Sequence, residues 1–160
     1  MIKRFSWVLS QKLAVGPFPH SENQAGYLAR QGITAVLCLT EPDERDVPSG
    51  IFNRFVWERV AIPDGFTGGV PEVEHFTQSL AILTRWHRKG HAVYVHCLAG
   101  VGRSPSVCAA YVARTQSIDL DYAIALVKQQ HEIANPDSAQ VAIMREFLSQ
   151  SNSFEGASNN

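Results

Sequence analysis

One stretch of this chain gathers residue types that do chemistry together: Val95-His96-Cys97-Leu98-Ala99-Gly100-Val101-Gly102-Arg103-Ser104-Pro105. An apolar run delivers Cys97. Five small or apolar residues follow, two of them glycine, and Arg103 then opens a helical pattern. A loop of this kind can curl so that successive backbone N–H groups of Leu98, Ala99, Gly100, Val101, Gly102 and Arg103 point inward and form an anion nest. The helix start adds its partial positive charge. Gly100 and Gly102 allow backbone angles that a β-carbon forbids. Arg103 supplies a planar fork for two oxygens of one phosphate. A thiol at a helix start beside a cation is the setting that favours a thiolate. A thiolate facing an anion cradle is a nucleophile aimed at phosphorus. Ser104 stands where its hydroxyl can hydrogen-bond Cys97 and steady it as a leaving group. His96 is expected to act behind the nucleophile, its neutral ring orienting the loop. A lone cysteine at a strand end is usually just a small buried side chain, which is the reading for Cys38 and Cys108.

Expelling an alkoxide or phenoxide needs a proton donor on another segment. Ala61-Ile62-Pro63-Asp64-Gly65-Phe66 offers Asp64, which follows a strand-like run and opens a loop containing three glycines. Such a loop can close over substrate, and a general acid contributes about 10²–10⁴-fold in rate. Asp-Gly by itself is an ordinary turn dipeptide. Its place ahead of the Cys97 loop turns the reading toward catalysis.

The elements that must hold these residues can be read along the chain. Trp7 to Val15 reads as a short strand or hairpin closed by Gly16-Pro17. Ser21 caps a helix to about Gln31, stopped by Gly32. Thr34–Thr40 is a buried strand, Glu41–Gly50 a polar loop, and Phe52–Ile62 another strand. Pro71 is expected to open a helix at its first turn, with Val73, Phe76, Leu80, Leu83 and Trp86 on one face and Gly90 at its end. Ala92–Val95 is a strand and Arg103–Arg114 a helix. Asp119 or Asp121 caps a further helix to about His131. Asn135-Pro136-Asp137 breaks the chain before a last helix over Ala139–Leu148. Strands mixed with helices predict a single α/β domain over 1–150. Its core would be a largely parallel sheet covered by helices on both faces. Residues 151–160 are expected to form a flexible tail.

Bulk composition fits that picture. The chain has 160 residues, 45% hydrophobic and 18% charged, which is ordinary globular composition. Fourteen Lys and Arg against fifteen Asp and Glu give no case for nucleic-acid or membrane-surface binding. Three cysteines are not a disulfide framework. With no secretory leader and no span-length apolar run, the expectation is a soluble, cytoplasmic monomer.

The loop spells H-C-x-x-G-x-x-R-S and resembles the active-site signature of the protein tyrosine phosphatase superfamily. Phe5-Ser6-Trp7-Val8-Leu9, Leu39-Thr40-Glu41, Ile62-Pro63-Asp64 and the 96–105 segment extend the likeness over roughly residues 5–148. They are similar to the small atypical dual-specificity protein phosphatases of the VH1-like group, most of all the member Z type. The resemblance implies a five-stranded, mostly parallel sheet flanked by helices. It implies no cofactor and no metal. The activity it implies is hydrolysis of phosphotyrosine, and of phosphoserine or phosphothreonine, on protein or peptide substrates. In that reading Cys97 is the nucleophile, Arg103 the phosphate clamp and Asp64 the acid and base. The chain lacks the N-terminal tyrosine-recognition loop of the larger enzymes, which implies a shallow pocket. Gln129-Gln130-His131-Glu132 departs from the usual Arg-Pro pattern there. Gln140 aligns with a glutamine near the cleft in related enzymes. Leu98, Ala99 and Val101 are uncharged, which speaks against polyphosphorylated lipids as substrates.

Other residues invite weaker readings. His87 and His91 are four apart, but Gly90 between them favours a solvent-exposed helix end over a metal pair. His20, His75 and His131 show no partners in the sequence. Glu41–Asp46 reads as a solvated acidic connection, with selection of basic substrate flanks as the sharper alternative. Phe66 either lines the pocket or anchors its loop. Competing functions are a phosphate-binding module without turnover, a sulfurtransferase, an arsenate reductase using Cys108, and an RNA 5′-triphosphatase. Retention of Cys97, Arg103 and Asp64 together argues against the first. Arg103-Ser104 argues against the second, and near-neutral charge against the last.

Overall fold

The computed structural model describes the backbone of residues 1–157 and the side chains through Gln150. Strands β1 (Ser6–Leu9) and β2 (Leu13–Gly16) form an antiparallel hairpin. The remaining strands are β3 (Ala35–Cys38), β4 (Val56–Arg59) and β5 (Val93–His96). The sheet runs β1-β2-β5-β3-β4, and every pairing except β1–β2 is parallel. β5 lies at the centre, so the loop that follows it emerges from the middle of the sheet's carboxyl edge.

Side-chain alternation divides the core into two layers. Leu13, Val15, Ala35, Leu37, Val93 and Val95 face one way, toward helices α3 (Val73–Arg88), α4 (Arg103–Gln116), α5 (Leu120–Gln130) and α6 (Ser138–Ala157). Ala14, Val36 and Tyr94 face the other way, toward α1 (Glu22–Arg30) and α2 (Ser49–Arg54). α4 is buried from Arg103 through Ala113. Its small residues Ser104, Ser106, Ala109 and Ala110 allow that close approach. The helix carrying Arg103 is thereby fixed from every side.

Several elements differ from the sequence reading. α2 occupies 49–54, where a loop running into a strand was expected. It is one and a half turns long, too short for a helical period to show. It is held from outside: the Glu22 carboxylate accepts from Ser49 Oγ and from the Gly50 N–H, each at 3.1 Å. β4 is correspondingly short, although the chain beyond it stays beside β3 through Val60 N to Cys38 O (3.0 Å) and Ile62 N to Leu39 O (3.1 Å). Pro71 lies outside α3, whose N-cap is Glu72 in a reciprocal capping box with His75. Ser21 and Asp119 cap α1 and α5 through their side chains. Asp137 accepts from Gln140 N at 2.7 Å before the first turn of α6. That helix continues past Leu148 to Ala157. Of the expected tail 151–160, residues 158–160 lie outside the described residues.

Candidate active site

β5 ends at His96, and Cys97 through Gly102 bridge to α4. The curl of this bridge has an identifiable cause, because its carbonyls are tied from outside. The Cys97 carbonyl lies 3.0 Å from His96 Nδ1. The Leu98 carbonyl accepts from Phe18 N at 3.0 Å, and the Val101 carbonyl from Asn135 N at 2.7 Å. The Gly100 carbonyl lies 2.8 Å from His131 Nε2. The Gly102 carbonyl accepts from Ser106 N (3.0 Å) and Ser106 Oγ (2.7 Å). In a trans peptide the N–H points opposite to the C=O. Carbonyls pulled outward therefore aim the N–H groups of Leu98, Ala99, Val101, Gly102 and Arg103 the other way, toward the pocket. The nest is imposed by five external partners rather than by loop propensity alone.

Gly100 fits this close packing. Its φ is +76°, and a β-carbon there would lie 2.7 Å from the Gly16 carbonyl carbon. At Gly102 a β-carbon would meet the Gln140 amide at 2.9 Å. The Gln140 carbonyl oxygen accepts from Asp137 N at 2.9 Å, so the side chain is held across the loop.

Cys97 is buried, with 3% of its surface exposed, and its sulfur lies 3.2 Å from Ser104 Oγ. Ser104 Oγ also reaches the Gly16 carbonyl at 3.4 Å. Arg103 is equally buried, at 4%. Its Nη1 and Nη2 hold the two carboxylate oxygens of Glu44 at 2.7 and 2.8 Å, and Nη1 also donates to the Ile62 carbonyl at 2.9 Å. Glu44 thus occupies the end-on fork of the guanidinium and Ile62 takes the other Nη1 proton. The side-on fork of Nε and Nη2 is what remains for a phosphate. Asp64 Oδ2 stands 3.5 Å from Nη2. Burial works against the charge of Arg103, but the hydrogen bonds it donates to Glu44 and the nearby negative charges outweigh this and hold the guanidinium pKa above its usual value. Burial likewise pushes Glu44 up, and its bonds to Arg103 and the Glu41 N–H outweigh this and hold it below the usual carboxylate range.

Asp64 follows the extended chain beyond β4. Its Oδ1 accepts from Phe66 N at 3.0 Å and caps the short turn Gly65–Thr67. Phe66 is 78% exposed at the pocket rim. The pocket is lined by Asp64, Gly65 and Phe66, by the phosphate loop from Cys97 to Arg103 except Gly100, and by Asn135, Asp137 and Gln140; Gly65 lies close against Asp137 and Gln140. The structure therefore brings Cys97, Arg103, Asp64 and the loop residues Leu98, Ala99, Val101 and Gly102 around one pocket, with Gly100, Ser104 and His96 buried behind them.

Three readings need correction. Glu44 is no solvated connection, for it grips the buried arginine. The clue was position: β3 ends on the same sheet edge as β5, so an acidic run after β3 must pass near the loop after β5. His131 has two partners, accepting from Ser6 Oγ at Nδ1 (2.8 Å) while Nε2 donates to Gly100. Burial lowers its pKa. His87 is half-buried, with Nδ1 at 2.5 Å from the Tyr111 hydroxyl and Nε2 at 2.9 Å from the Lys12 carbonyl. Cys108 is fully buried, and burial pushes its thiol far up. That makes it a poor redox partner. Among the described residues no group of three or more His, Cys, Asp or Glu side chains could hold a metal ion. No described helix is long and apolar enough to cross a membrane.

A five-stranded, mostly parallel sheet with a cysteine-to-arginine loop after its central strand is the fold of the protein tyrosine phosphatase superfamily. Within it, the chain belongs to the family of dual specificity phosphatase catalytic domains, whose family model matches residues 17–150. Dual specificity protein phosphatase 22-B of Danio rerio is 31% identical over 120 residues, covering 75% of this chain and 62% of that protein. Dual specificity protein phosphatase 1-A of Xenopus laevis is 28% identical over 119 residues, covering 74% of this chain and 31% of that protein. The chain thus spans 31% and 62% of these two relatives, less than two thirds of either. The crystal structure of the human tyrosine phosphatase-like serine/threonine/tyrosine-interacting protein superposes with a TM-score of 0.82 at 22% identity, covering 93% of this chain and 99% of that one.

Proposed function

We propose that this chain hydrolyses phosphate monoesters of tyrosine, serine and threonine on proteins, through a phosphocysteine formed on Cys97. The observation that carries the reading is the convergence, on one pocket, of a buried cysteine, an outward-tied carbonyl loop, a half-occupied arginine fork and an aspartate. In the first step the Cys97 thiolate attacks phosphorus. The bond from phosphorus to the substrate oxygen breaks, and Asp64 gives that oxygen its proton. In the second step Asp64 takes a proton from water, the hydroxide attacks phosphorus, and the P–S bond breaks. Ser104 donates to the departing thiolate. The side-on fork of Arg103 and the loop N–H groups hold the equatorial oxygens in both steps.

The fold alone does not supply turnover, since a protein described only as phosphatase-like shares it. What favours turnover here is the presence of Cys97, Ser104 and Asp64 in bonding positions. The shallow setting, with rims at Phe66 and Asp137, supports acceptance of short phosphoserine as well as phosphotyrosine. The finer likeness to the member Z type, a cytoplasmic location, a monomeric state, independence from metals and the domain boundary at 150 belong to this proposal.

The test is phosphate release, in the presence of EDTA, from phosphotyrosyl, phosphoseryl and phosphothreonyl peptides, with Cys97→Ser alongside. Release by the wild type and none by the variant is expected. A folded, reduced protein that releases nothing would leave the phosphate-binding module as the better reading.

A further inference from the structure

His96 is fully buried, and its surroundings can be accounted for atom by atom. One ring face stacks on Tyr94, with centroids 5.9 Å apart, and the Phe18 ring meets it edge-on at 4.9 Å. Nδ1 lies 3.0 Å from the Cys97 carbonyl, which can only accept, so Nδ1 must carry a proton and donate it. Nε2 is left buried with no hydrogen-bond partner of regular geometry. A buried ring nitrogen without a partner is costly, since it has given up its bond to water.

Cys38 is the strand neighbour directly across from His96 in the β3–β5 ladder. Its side chain lies on the same face of the sheet, because Val36 and Tyr94, two residues back on each strand, share one core layer. Its sulfur is fully buried and 3.2 Å from Thr40 Oγ1. Nothing in the proposed reaction uses it.

We propose that Cys38 is a positioning residue for the nucleophile, its sulfur partnering His96 Nε2 and thereby committing the Nδ1 proton to the Cys97 carbonyl. The chain of contacts runs from Thr40 Oγ1 to Cys38 Sγ, to the imidazole, to the first peptide of the phosphate loop. With Nε2 engaged, the ring can neither rotate nor shift its proton away from Nδ1. The Cys97 carbonyl then stays turned toward His96, and the Leu98 N–H stays turned into the nest. Burial pushes the Cys38 thiol up, yet the neighbouring His96, with help from Thr40, outweighs this and holds it at about 6. Whether the shared proton sits on sulfur or on Nε2, Nδ1 keeps its own.

This inference rests on the phosphatase reading for its effect on rate, but its geometry is testable without turnover. Nitrogen-15 and proton spectra of the His96 imidazole would be recorded for wild type, Cys38→Ser and Cys38→Ala, with peptide hydrolysis measured on the same samples. The expected result is an Nδ1-protonated ring with an engaged Nε2 in wild type and in Cys38→Ser. Cys38→Ala should show exchange between tautomers and kcat lower by about tenfold, the scale of losing an outer hydrogen-bond partner. Restoration by serine separates a hydrogen-bond role from a packing one. A wild-type Nε2 with the signature of a free lone pair would overturn the proposal, even if Cys38→Ala failed to fold. So would a Cys38→Ala protein with wild-type spectra. Unaltered wild-type signatures without any phosphate release would instead count against the phosphatase reading alone.

Discussion

The phosphate loop and the Asp64 loop face the same pocket but are built on different terms. The first holds Cys97, Gly100 and Arg103 buried and is tied through five carbonyls to β2's exit, β5, α4, the 131 segment and Asn135. The second rests on an Asp64 cap and a glycine at φ +83°, with Phe66 turned to solvent. The contrast matches two demands of the proposed reaction. A cradle that stabilises charge works best when its dipoles are fixed beforehand. A proton donor must reach leaving groups of different size, which suits a loop with more of its residues turned to solvent. Binding and nucleophilicity should therefore fail together when the first loop is disturbed, and leaving-group dependence should change when the second is.

The largest effect is expected at Arg103. Arg103→Ala removes the guanidinium that faces the nest, and kcat/KM should fall by at least about 10³-fold. Phosphate or vanadate inhibition should weaken in parallel. Next comes Asp64→Asn. Hydrolysis of phosphoseryl peptides, with a poor leaving group, should slow by about 10²–10⁴-fold, while p-nitrophenyl phosphate, with a good one, should slow far less. Equal slowing of both would remove Asp64 from the acid role and erase the contrast between the loops.

Glu44→Gln tests whether the end-on grip orients the arginine. It keeps the shape, loses the charge, and should raise KM by about tenfold, since the cost of a weakened buried pair falls first on the arginine's position. The pH sense follows from the lowered carboxylate. Stabilisation from Glu44 is fully present above its unfolded pKa and is lost as pH falls through its depressed folded value. Wild-type KM should therefore rise toward acid pH, and the glutamine variant should lack that component.

His131→Asn reports on the cradle's ties alone. It strands the Gly100 carbonyl and should cost about 1–3 kcal/mol of stability in urea unfolding. Burial lowers the His131 pKa, so the unfolded state binds its proton first. Wild-type stability should then drop as pH falls below about 6.5, and the variant should show less of that drop. The smallest expected effect is at Cys108→Ser, which lies behind the loop and should leave turnover nearly unchanged. A large loss there would revive a redox role.

Sequence made the cradle legible because its residues are contiguous. Cys97, Gly100, Arg103 and Ser104 are one loop, and the strand before it and the helix after it follow from local pattern. Asp64 was legible through its Ile-Pro-Asp setting. Glu44, His131 and Asn135 were not, because each acts through tertiary approach: Glu44 from the edge of β3, the other two from the turn between α5 and α6. The same holds for α2, whose caps come from Glu22, 27 residues earlier. Local propensity shows neither a partner brought in by topology nor the backbone direction it imposes.

The central claim is a covalent intermediate on Cys97. Mixing wild-type protein with a phosphotyrosyl peptide, quenching within milliseconds and mapping phosphate by mass spectrometry tests it most directly. The account predicts phosphate on the peptide containing Cys97, absent from Cys97→Ser and accumulating in Asp64→Asn with a good leaving group. Steady turnover with no phosphate on Cys97 in any of the three would contradict it.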